Sequence, residues 1–134
     1  MANTVRDLLG NGLITPLRRL AGLDFVSASG ELLVRSAVQQ IMKTERGQMP
    51  WRPSFSGGME RFRNRSMAAT ALEEAEAQAM GSIGAYEPRA RVLGVKAERL
   101  KTMMRVQIAW GVVPPESQES TSVLLGPFTT EVTI

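Results

Sequence analysis

Glu87, Pro88 and Arg89 form a tripeptide whose residue types and order could do specific chemistry. The proline fixes the direction of the backbone, because its ring locks φ and it has no amide hydrogen to donate. The arginine guanidinium is a planar fork that binds a carboxylate through two hydrogen bonds. Two interpretations remain open: the fork binds a carboxylate of a partner protein, or Glu87 and Arg89 pair with each other inside the fold.

A second group of candidate contact residues lies in segment 47–58, where two prolines and three glycines predict an irregular loop. Trp51 and Phe55 lie in this segment beside Arg46 and Arg52. Tryptophan and arginine are enriched among the residues that dominate binding energy at interfaces, so these four predict a contact with a partner. The alternative is a loop folded back over the core with its aromatic rings buried.

Catalytic and metal chemistry is limited by the residue types present. The chain has no cysteine and no histidine. Disulfides, thiolate metal sites and every Ser–His or Cys–His mechanism are therefore excluded. We expect no catalytic residue, no metal site and no cofactor, and the sequence favours a structural or interaction role.

Composition predicts one domain that buries a core, since the 134 residues are 43% hydrophobic and 22% charged. No apolar run approaches the roughly 20 residues of a membrane span. Arg6, Asp7, Gly10 and Asn11 interrupt the N-terminus before a secretory signal forms. All 16 Lys and Arg lie before residue 106, and residues 106–134 contain three acidic residues and no Lys or Arg. This asymmetry concerns partners rather than fold.

Two helices are predicted by apolar residues that recur every three or four positions. The first begins at Glu31, with Ser29 as N-cap and Gly47 as the stop. The second spans residues 66–86, where Thr70 and Glu73 stand in capping-box spacing and Ser66 is the alternative cap for an earlier start. It ends before Pro88, which disfavours helical geometry at the preceding residue.

Strands are predicted after Pro88, where the apolar period drops to two. Residues 104–112 form a half-buried strand that pairs with residues 91–100 as a hairpin. Residues 122–125 and 129–134 are two further strands, separated by Gly126 and Pro127. The order predicts an α+β fold: two main helices packed on a small, mostly antiparallel sheet, with an N-terminal arm (1–23), a single domain (24–134) and a C-terminal strand.

Three stretches in order then resemble a known family. They are Ile41-Met42-Lys43-Thr44-Glu45-Arg46-Gly47-Gln48, Arg52-Pro53-Ser54-Phe55-Ser56-Gly57-Gly58-Met59 and Tyr86-Glu87-Pro88-Arg89-Ala90-Arg91-Val92. Their order and spacing over residues 24–113 resemble the baseplate wedge and sheath-initiator family of contractile phage tails, often labelled "lysozyme-like" and shared with type VI secretion and other contractile injection systems. The sequence departs from that pattern at Gln48, where the family usually has Glu, and at Ser56, where it has Gly.

The resemblance implies a non-enzymatic structural subunit of the virion tail baseplate, made in the host cytoplasm. It implies that Glu87, Pro88 and Arg89 dock the chain onto the wedge core, and that the chain templates the first ring of sheath subunits. Its partners would be other wedge proteins, sheath subunits and the inner tube, with six copies per particle, and neither a membrane nor a specific nucleic acid.

The C-terminal strand is the predicted contact with the sheath. Thr129, Glu131, Val132 and Ile134 belong to a run rich in β-branched residues, which favour strands. A strand at a sheet edge has backbone groups free to pair with a strand of another chain. We expect deletion of residues 127–134 to leave a folded domain. The alternative is a strand that only closes this domain's own sheet.

Two other functions stay open. The lysozyme-like label suggests cell-wall cleavage, which needs two carboxylates across a cleft. Glu73, Glu74 and Glu76 instead lie close together on one predicted helix, and Glu87 has no obvious second acid. Five arginines at positions 46–65 and a pI near 10.0 suggest weak, salt-sensitive nucleic-acid binding without sequence preference.

Overall fold

The computed structural model describes residues 9–14, 17–19, 21–22, 24–63, 65, 68–113 and 125–134, with only the backbone of Leu125. The chain forms, in order, β1 Asn11–Leu13, β2 Ser27–Ser29, α1 Glu31–Lys43, a 3₁₀ helix Met59–Phe62, α2 Ala69–Tyr86, β3 Ala90–Leu100, β4 Met103–Val112 and β5 Leu125–Thr133. The predicted α+β class, with two main helices, an antiparallel sheet and a C-terminal strand, is confirmed. Among these residues no helix is long and apolar enough to cross a membrane.

The main sheet has the strand order β3-β4-β5, and both pairings are antiparallel. In the central register, Val106 pairs with Ala97 on one side and Val132 on the other. Strands that follow each other in the chain are thus also neighbours in the sheet. The short strands β1 and β2 form a separate antiparallel pair.

The core lies between the helices and one face of this sheet. The alternate residues of β4 are each 0% or 1% exposed: Met104, Val106, Ile108, Trp110 and Val112. They cluster with Val34 and Val38 of α1 and with Ala79 and Ile83 of α2. The period of two predicted a half-buried strand because successive side chains point to opposite faces, and that prediction is confirmed.

The predicted caps of both helices are wrong. Gly30, with φ of 68°, occupies the N-cap of α1 without a side-chain hydrogen bond, and the helix ends before Thr44 rather than at Gly47. The Thr44 amide donates to the Gln40 carbonyl over 3.0 Å, and the Thr44 hydroxyl adds a second hydrogen bond to the same carbonyl over 2.6 Å. Helix α2 begins after Ala68, so Thr70 lies inside the helix and makes no capping box.

The predicted break at Gly126 and Pro127 is also wrong. Strand β5 continues through these residues, with a cis peptide bond between them. A proline is tolerated in an edge strand because its missing amide hydrogen is not needed for the ladder. A shift of register opposite, between Trp110 and Val112, accommodates the glycine, whose added Cβ would lie 3.2 Å from Gly111 Cα.

The N-terminal arm meets the domain at two described places. Leu9 is 2% exposed and belongs to the core cluster, and β1 pairs with β2. The sequence also predicts a brief strand over residues 24–28, closed by Ser29 and Gly30, and the observed strand is Ser27–Ser29. The sequence further predicts a short N-terminal helix, with Asn3 or Thr4 as N-cap and its end at Gly10 or Gly12, and a polar loop over residues 114–120. Most of that helix, the loop and most of the strand expected over 122–125 lie outside the described residues. The domain boundary at residue 23 stays a prediction.

Candidate functional site

The helix-to-strand junction is built by a pair of charged side chains, here named the Glu87–Arg89 brace. Glu87 ends α2 and is only 4% exposed. Its Oε1 accepts from the Arg89 backbone amide at 3.1 Å and from Arg89 Nε at 2.7 Å. Its Oε2 accepts from Arg89 Nη2 at 2.7 Å, so the fork binds the carboxylate through both oxygens.

The brace also ties in the N-terminal arm and the end of β4. The third nitrogen of the fork, Arg89 Nη1, donates to the Leu9 carbonyl at 2.8 Å. The Val113 amide donates to the Arg89 carbonyl at 3.0 Å. The hydrogen bonds to Glu87 raise the pKa of Arg89, against the opposing effect of burial. Of the two interpretations, pairing within the fold describes these contacts, and docking by the tripeptide stays a prediction.

A shallow groove of about 380 Å³, here named the Pro88 groove, lies beside the brace. Pro88 itself is exposed at its rim. Its lining residues are Met80, Gly84, Pro88, Ala90, Arg91, Val92 and Val113. Met80 is 47% exposed, and an added Cβ at Gly84 would meet no atom within 4 Å. If the tripeptide docks a partner, this groove is where it offers space, because the fork is already occupied.

The loop between α1 and the 3₁₀ helix is held against both helices. Gly57 lies so close to α1 that an added Cβ would be 2.8 Å from the Ile41 carbonyl oxygen and 2.9 Å from Met42 Cα. The Gly57 carbonyl accepts from the Ser82 hydroxyl of α2 at 3.2 Å. Only glycine fits this close approach of two backbones. The glycines that carried the family resemblance thus have a packing role.

The four loop residues predicted as partner contacts separate into two kinds. Phe55 is half-buried, with its ring centroid 4.9 Å from that of Tyr86, and Arg52 lies over both rings. Trp51 is 81% exposed, and Arg46 is exposed as well. The alternative of buried aromatics therefore holds for Phe55 in part and not for Trp51.

Most of the arginines that suggested nucleic-acid binding are paired with acids. Arg61 and Arg65 reach the same carboxylate oxygen of Glu74 at 3.8 and 2.8 Å, and Arg63 reaches Glu45 at 2.7 Å. These pairs are about half exposed and neutralise the cations that a phosphate backbone would need.

The two edges of the main sheet differ. On β3, the amide of Ala97 donates to Glu76 Oε1 of α2 at 2.9 Å, so a side chain occupies an outward backbone group. A bulge between Val92 and Gly94 interrupts the same edge. Bulges and covering helices are ways in which proteins prevent an edge strand from pairing with another chain.

The edge of β5 is open among the described residues. Ile134 and Met104 exchange two backbone hydrogen bonds, of 2.8 and 2.9 Å. Since such pairs alternate in an antiparallel ladder, the backbone groups of Thr129, Glu131 and Thr133 point away from β4. No described residue bonds these groups, which are here named the β5 outer edge.

The side chains of the predicted sheath-facing strand divide between surface and core. Thr129 and Glu131 are exposed, whereas Val132 is 3% exposed and Ile134 packs against the core. Sequence reasoning missed Thr130, which is 2% exposed and accepts from Trp110 Nε1 at 2.9 Å. Deleting residues 127–134 would remove core side chains, which should destabilise the domain, and a folded truncated domain stays a prediction.

The carboxylates do not form a pair across a cleft. Glu73 and Glu74 are exposed, Glu76 binds the Ala97 amide, and both oxygens of Glu87 are bound to Arg89. Among the described residues, no group of three or more acids could hold a metal ion. These four acids were the candidates for catalysis. Each of them therefore has a structural partner or faces open solvent.

No protein-family profile matches this chain, and no curated protein matches it in sequence. A chain of the anti-feeding prophage baseplate, solved by cryo-EM with six-fold symmetrisation, is similar in structure. Its TM-score is 0.74 at 23% identity, and the match covers 84% of this chain and 94% of that chain. The crystal structure of a proposed tail lysozyme from Geobacter sulfurreducens matches with a TM-score of 0.56 at 19% identity. This match covers 75% of this chain and 83% of that chain. At these identities the likeness establishes the fold, and at that level the resemblance inferred from the motifs is confirmed.

Proposed function

We propose that this chain is a non-enzymatic structural subunit of a contractile-tail baseplate. It docks on the wedge core through the Pro88 groove and templates the first ring of sheath subunits through the β5 outer edge. The observation that supports this most is the near-complete match to a chain of the anti-feeding prophage baseplate. Six copies per particle, contacts with the inner tube and a location in the virion tail belong to the same proposal.

The contrast between the two sheet edges supports sheath templating. The β3 edge carries a bulge and the Glu76 contact, which disfavour pairing with another strand. The β5 outer edge has three residues whose backbone groups meet no described partner. Strand addition from a sheath subunit would use these groups for affinity and the alternating side chains for register.

Replacing Glu131 tests this role without removing the core. Glu131→Pro deletes an outward amide, while Glu131→Ala removes the same side chain and keeps the amide. We expect both variants to fold and enter baseplates, because residue 131 is exposed. Only the proline variant should yield particles with bare tubes, as seen by negative-stain electron microscopy. Normal sheaths on Glu131→Pro particles contradict the templating role.

Docking is tested in the groove rather than at the arginine. Gly84→Gln places a side chain in the Pro88 groove, where an added Cβ at this position meets no atom of the chain within 4 Å. Thr70→Gln, at the exposed start of the same helix, is the matched control. We expect both variants to remain folded. Only the Gly84 variant should be missing from purified wedges. Incorporation of both variants at equal levels contradicts docking at this groove.

The fold likeness to a proposed tail lysozyme makes cell-wall cleavage the second candidate. A glycosidase needs one carboxyl that delivers a proton and a second across a cleft. Glu87 does not fit, since Arg89 occupies both of its oxygens. We expect no release of soluble cell-wall fragments by the purified chain; release that Glu87→Gln abolishes would establish the enzyme instead.

A further inference from the structure

Trp51 is the most exposed of the large hydrophobic side chains that the structure describes, at 81%. A tryptophan carries a large apolar surface, and its burial is among the largest single contributions to protein interfaces. Here that surface is left in water at the tip of the loop between α1 and the 3₁₀ helix. Residues 46–55 of this loop are here named the Trp51 loop.

The Trp51 loop is held in one conformation by its own hydrogen bonds. The Arg52 amide donates to the Met49 carbonyl at 3.0 Å, and the Gly47 amide donates to the Pro53 carbonyl at 3.0 Å. The Tyr86 hydroxyl of α2 donates to the Ser54 carbonyl at 2.6 Å. Because the backbone around Trp51 is already ordered, binding through this side chain loses little conformational freedom.

A cation, Arg52, directly follows the exposed tryptophan in the chain. The Arg52 guanidinium lies 5.0 Å from the Phe55 ring centroid and 5.5 Å from that of Tyr86, an arrangement that restricts its side chain. Among the described residues, no carboxylate forms an ion pair with the side chain of Arg52, Arg46 or Lys43. The Glu60 carboxylate accepts from Arg46 only through the backbone amide, at 3.3 Å. The acid of this segment, Glu45, is bound to Arg63. The loop therefore presents unpaired positive charge around an apolar side chain.

We propose that the Trp51 loop docks an acidic segment of a neighbouring protein. Trp51 fills an apolar pocket of that protein, and the fork of Arg52 binds one of its carboxylates. Charge complementarity favours an acidic partner over nucleic acid, because the nearby arginines that would extend a phosphate-binding surface are paired with Glu45 and Glu74. The inference goes beyond the baseplate role and does not rest on it, since this loop is separate from the Pro88 groove and the β5 outer edge.

Photo-crosslinking in cells that make the native assembly tests this surface. The full chain carries p-benzoylphenylalanine at position 51, or at position 32 as the control, where Leu32 is an exposed apolar residue at 57%. We expect position 51 alone to give one major product with another protein, attached within a segment rich in Asp and Glu. Attachment to lipid, to nucleic acid, to a second copy of this chain or to a segment without carboxylates overturns the proposal, as does the absence of a product.

Binding to the protein so identified is then measured with both partners purified. Trp51→Ala should raise Kd by about tenfold or more, the loss typical of a central tryptophan. Arg52→Gln should also weaken binding and reduce its dependence on salt, because one ion pair is lost. Leu32→Ala should leave Kd unchanged. Trp51→Ala and Leu32→Ala should keep the melting temperature of the native chain, whereas Arg52→Gln should lower it slightly, because the contacts with the Phe55 and Tyr86 rings are lost. An unchanged Kd for Trp51→Ala overturns the proposal.

The two proposals fail separately. An acidic partner outside any baseplate would support the Trp51 loop and contradict the baseplate role. Normal sheaths on Glu131→Pro particles would contradict the templating role and leave the Trp51 loop unaffected.

Discussion

At the scale of single residues, the side chains with the most chemical potential are engaged by each other. Arg89 places three of its nitrogens on Glu87 and the Leu9 carbonyl. Breaking a buried ion pair by removing one member leaves an uncompensated charge, which costs more than the intact pair contributes. The Glu87–Arg89 brace is therefore a stability element first, whatever surface it supports.

Arg89→Ala should lower the free energy of unfolding by about 2–3 kcal/mol, because Glu87 stays buried without its fork. Arg89→Lys should lower it less, since a lysine keeps the charge but not the bidentate geometry. Urea denaturation followed by circular dichroism measures both. Arg19→Ala, at an exposed position, is the control. If Arg89→Ala had the stability of the native chain, the internal role would be contradicted. Binding of the Arg89 guanidinium to a partner's carboxylate would then be the better interpretation.

Glu98 gives a pH dependence at the residue scale. Hydrogen bonds from Arg105 and then Lys96 lower the pKa of Glu98 below its ordinary value. A carboxyl with a lowered pKa in the folded state contributes stability above its ordinary pKa and loses it as pH falls through the folded value. As the pH is lowered below the ordinary pKa of glutamate, we expect the melting temperature of the native chain to fall more than that of Glu98→Gln. Parallel pH profiles for the two proteins would refute this.

At the scale of elements, the loop over residues 44–58 is positioned by backbone contacts rather than by side-chain burial. Gly57 approaches the last turn of α1, and Tyr86 and Ser82 of α2 bind the loop carbonyls. The same arrangement that holds the loop leaves Trp51 at its exposed tip. The element thus combines a fixed base with a free contact residue.

Gly57, in a loop, and Gly84, inside α2, should respond in opposite ways to alanine. Gly57→Ala places a Cβ within 3 Å of α1 backbone atoms, so we expect a loss of about 2 kcal/mol or more. Gly84→Ala, in the interior of α2 with open space around it, should stabilise the isolated chain by about 1 kcal/mol. Thermal and urea unfolding measure both changes. Equal effects of the two substitutions would show that the loop does not pack as described.

At the scale of the whole molecule, the two helices and the arm cover one face of a sheet whose edges differ. Helix α2 lies along β3 and α1 lies against β5, and Leu9 joins the same core. The β5 outer edge, the Pro88 groove and the Trp51 loop are three separate surfaces on this frame. Three separate surfaces allow contacts with several different neighbours at once, as the two proposals require.

We expect the purified chain to be a monomer at micromolar concentration, with any six-fold arrangement imposed by the particle. Glu76 occupies an outward amide of β3, which disfavours a ring in which that edge pairs with the β5 outer edge of the next copy. Sedimentation velocity measures the mass directly. A stable hexamer in the absence of other proteins would contradict this expectation, and Glu76→Ala tests whether the blocked edge is the reason.

Local pattern alone predicted the two main helices and the hairpin of β3 and β4. The alternation over Met104–Val112 predicted β4, and the helical spacing from Glu31 predicted α1, because each element must bury one face. The α+β class followed from the order of those elements. Helix ends were missed, since Gly30 and Ala68 start the helices without any side-chain cap that a sequence pattern could reveal.

Only the tertiary structure decided what the candidate site residues do. Arg89 binds Leu9, 80 residues away, and Trp110 binds Thr130 in the next strand. Trp51 and Phe55 look equivalent in sequence, yet one is exposed and the other stacks on Tyr86. Periodicity reports which face of an element is buried, but not which distant side chain arrives to satisfy a polar group there. The partners of Arg89, the exposure of Trp51 and the open edge of β5 therefore depended on how the elements pack.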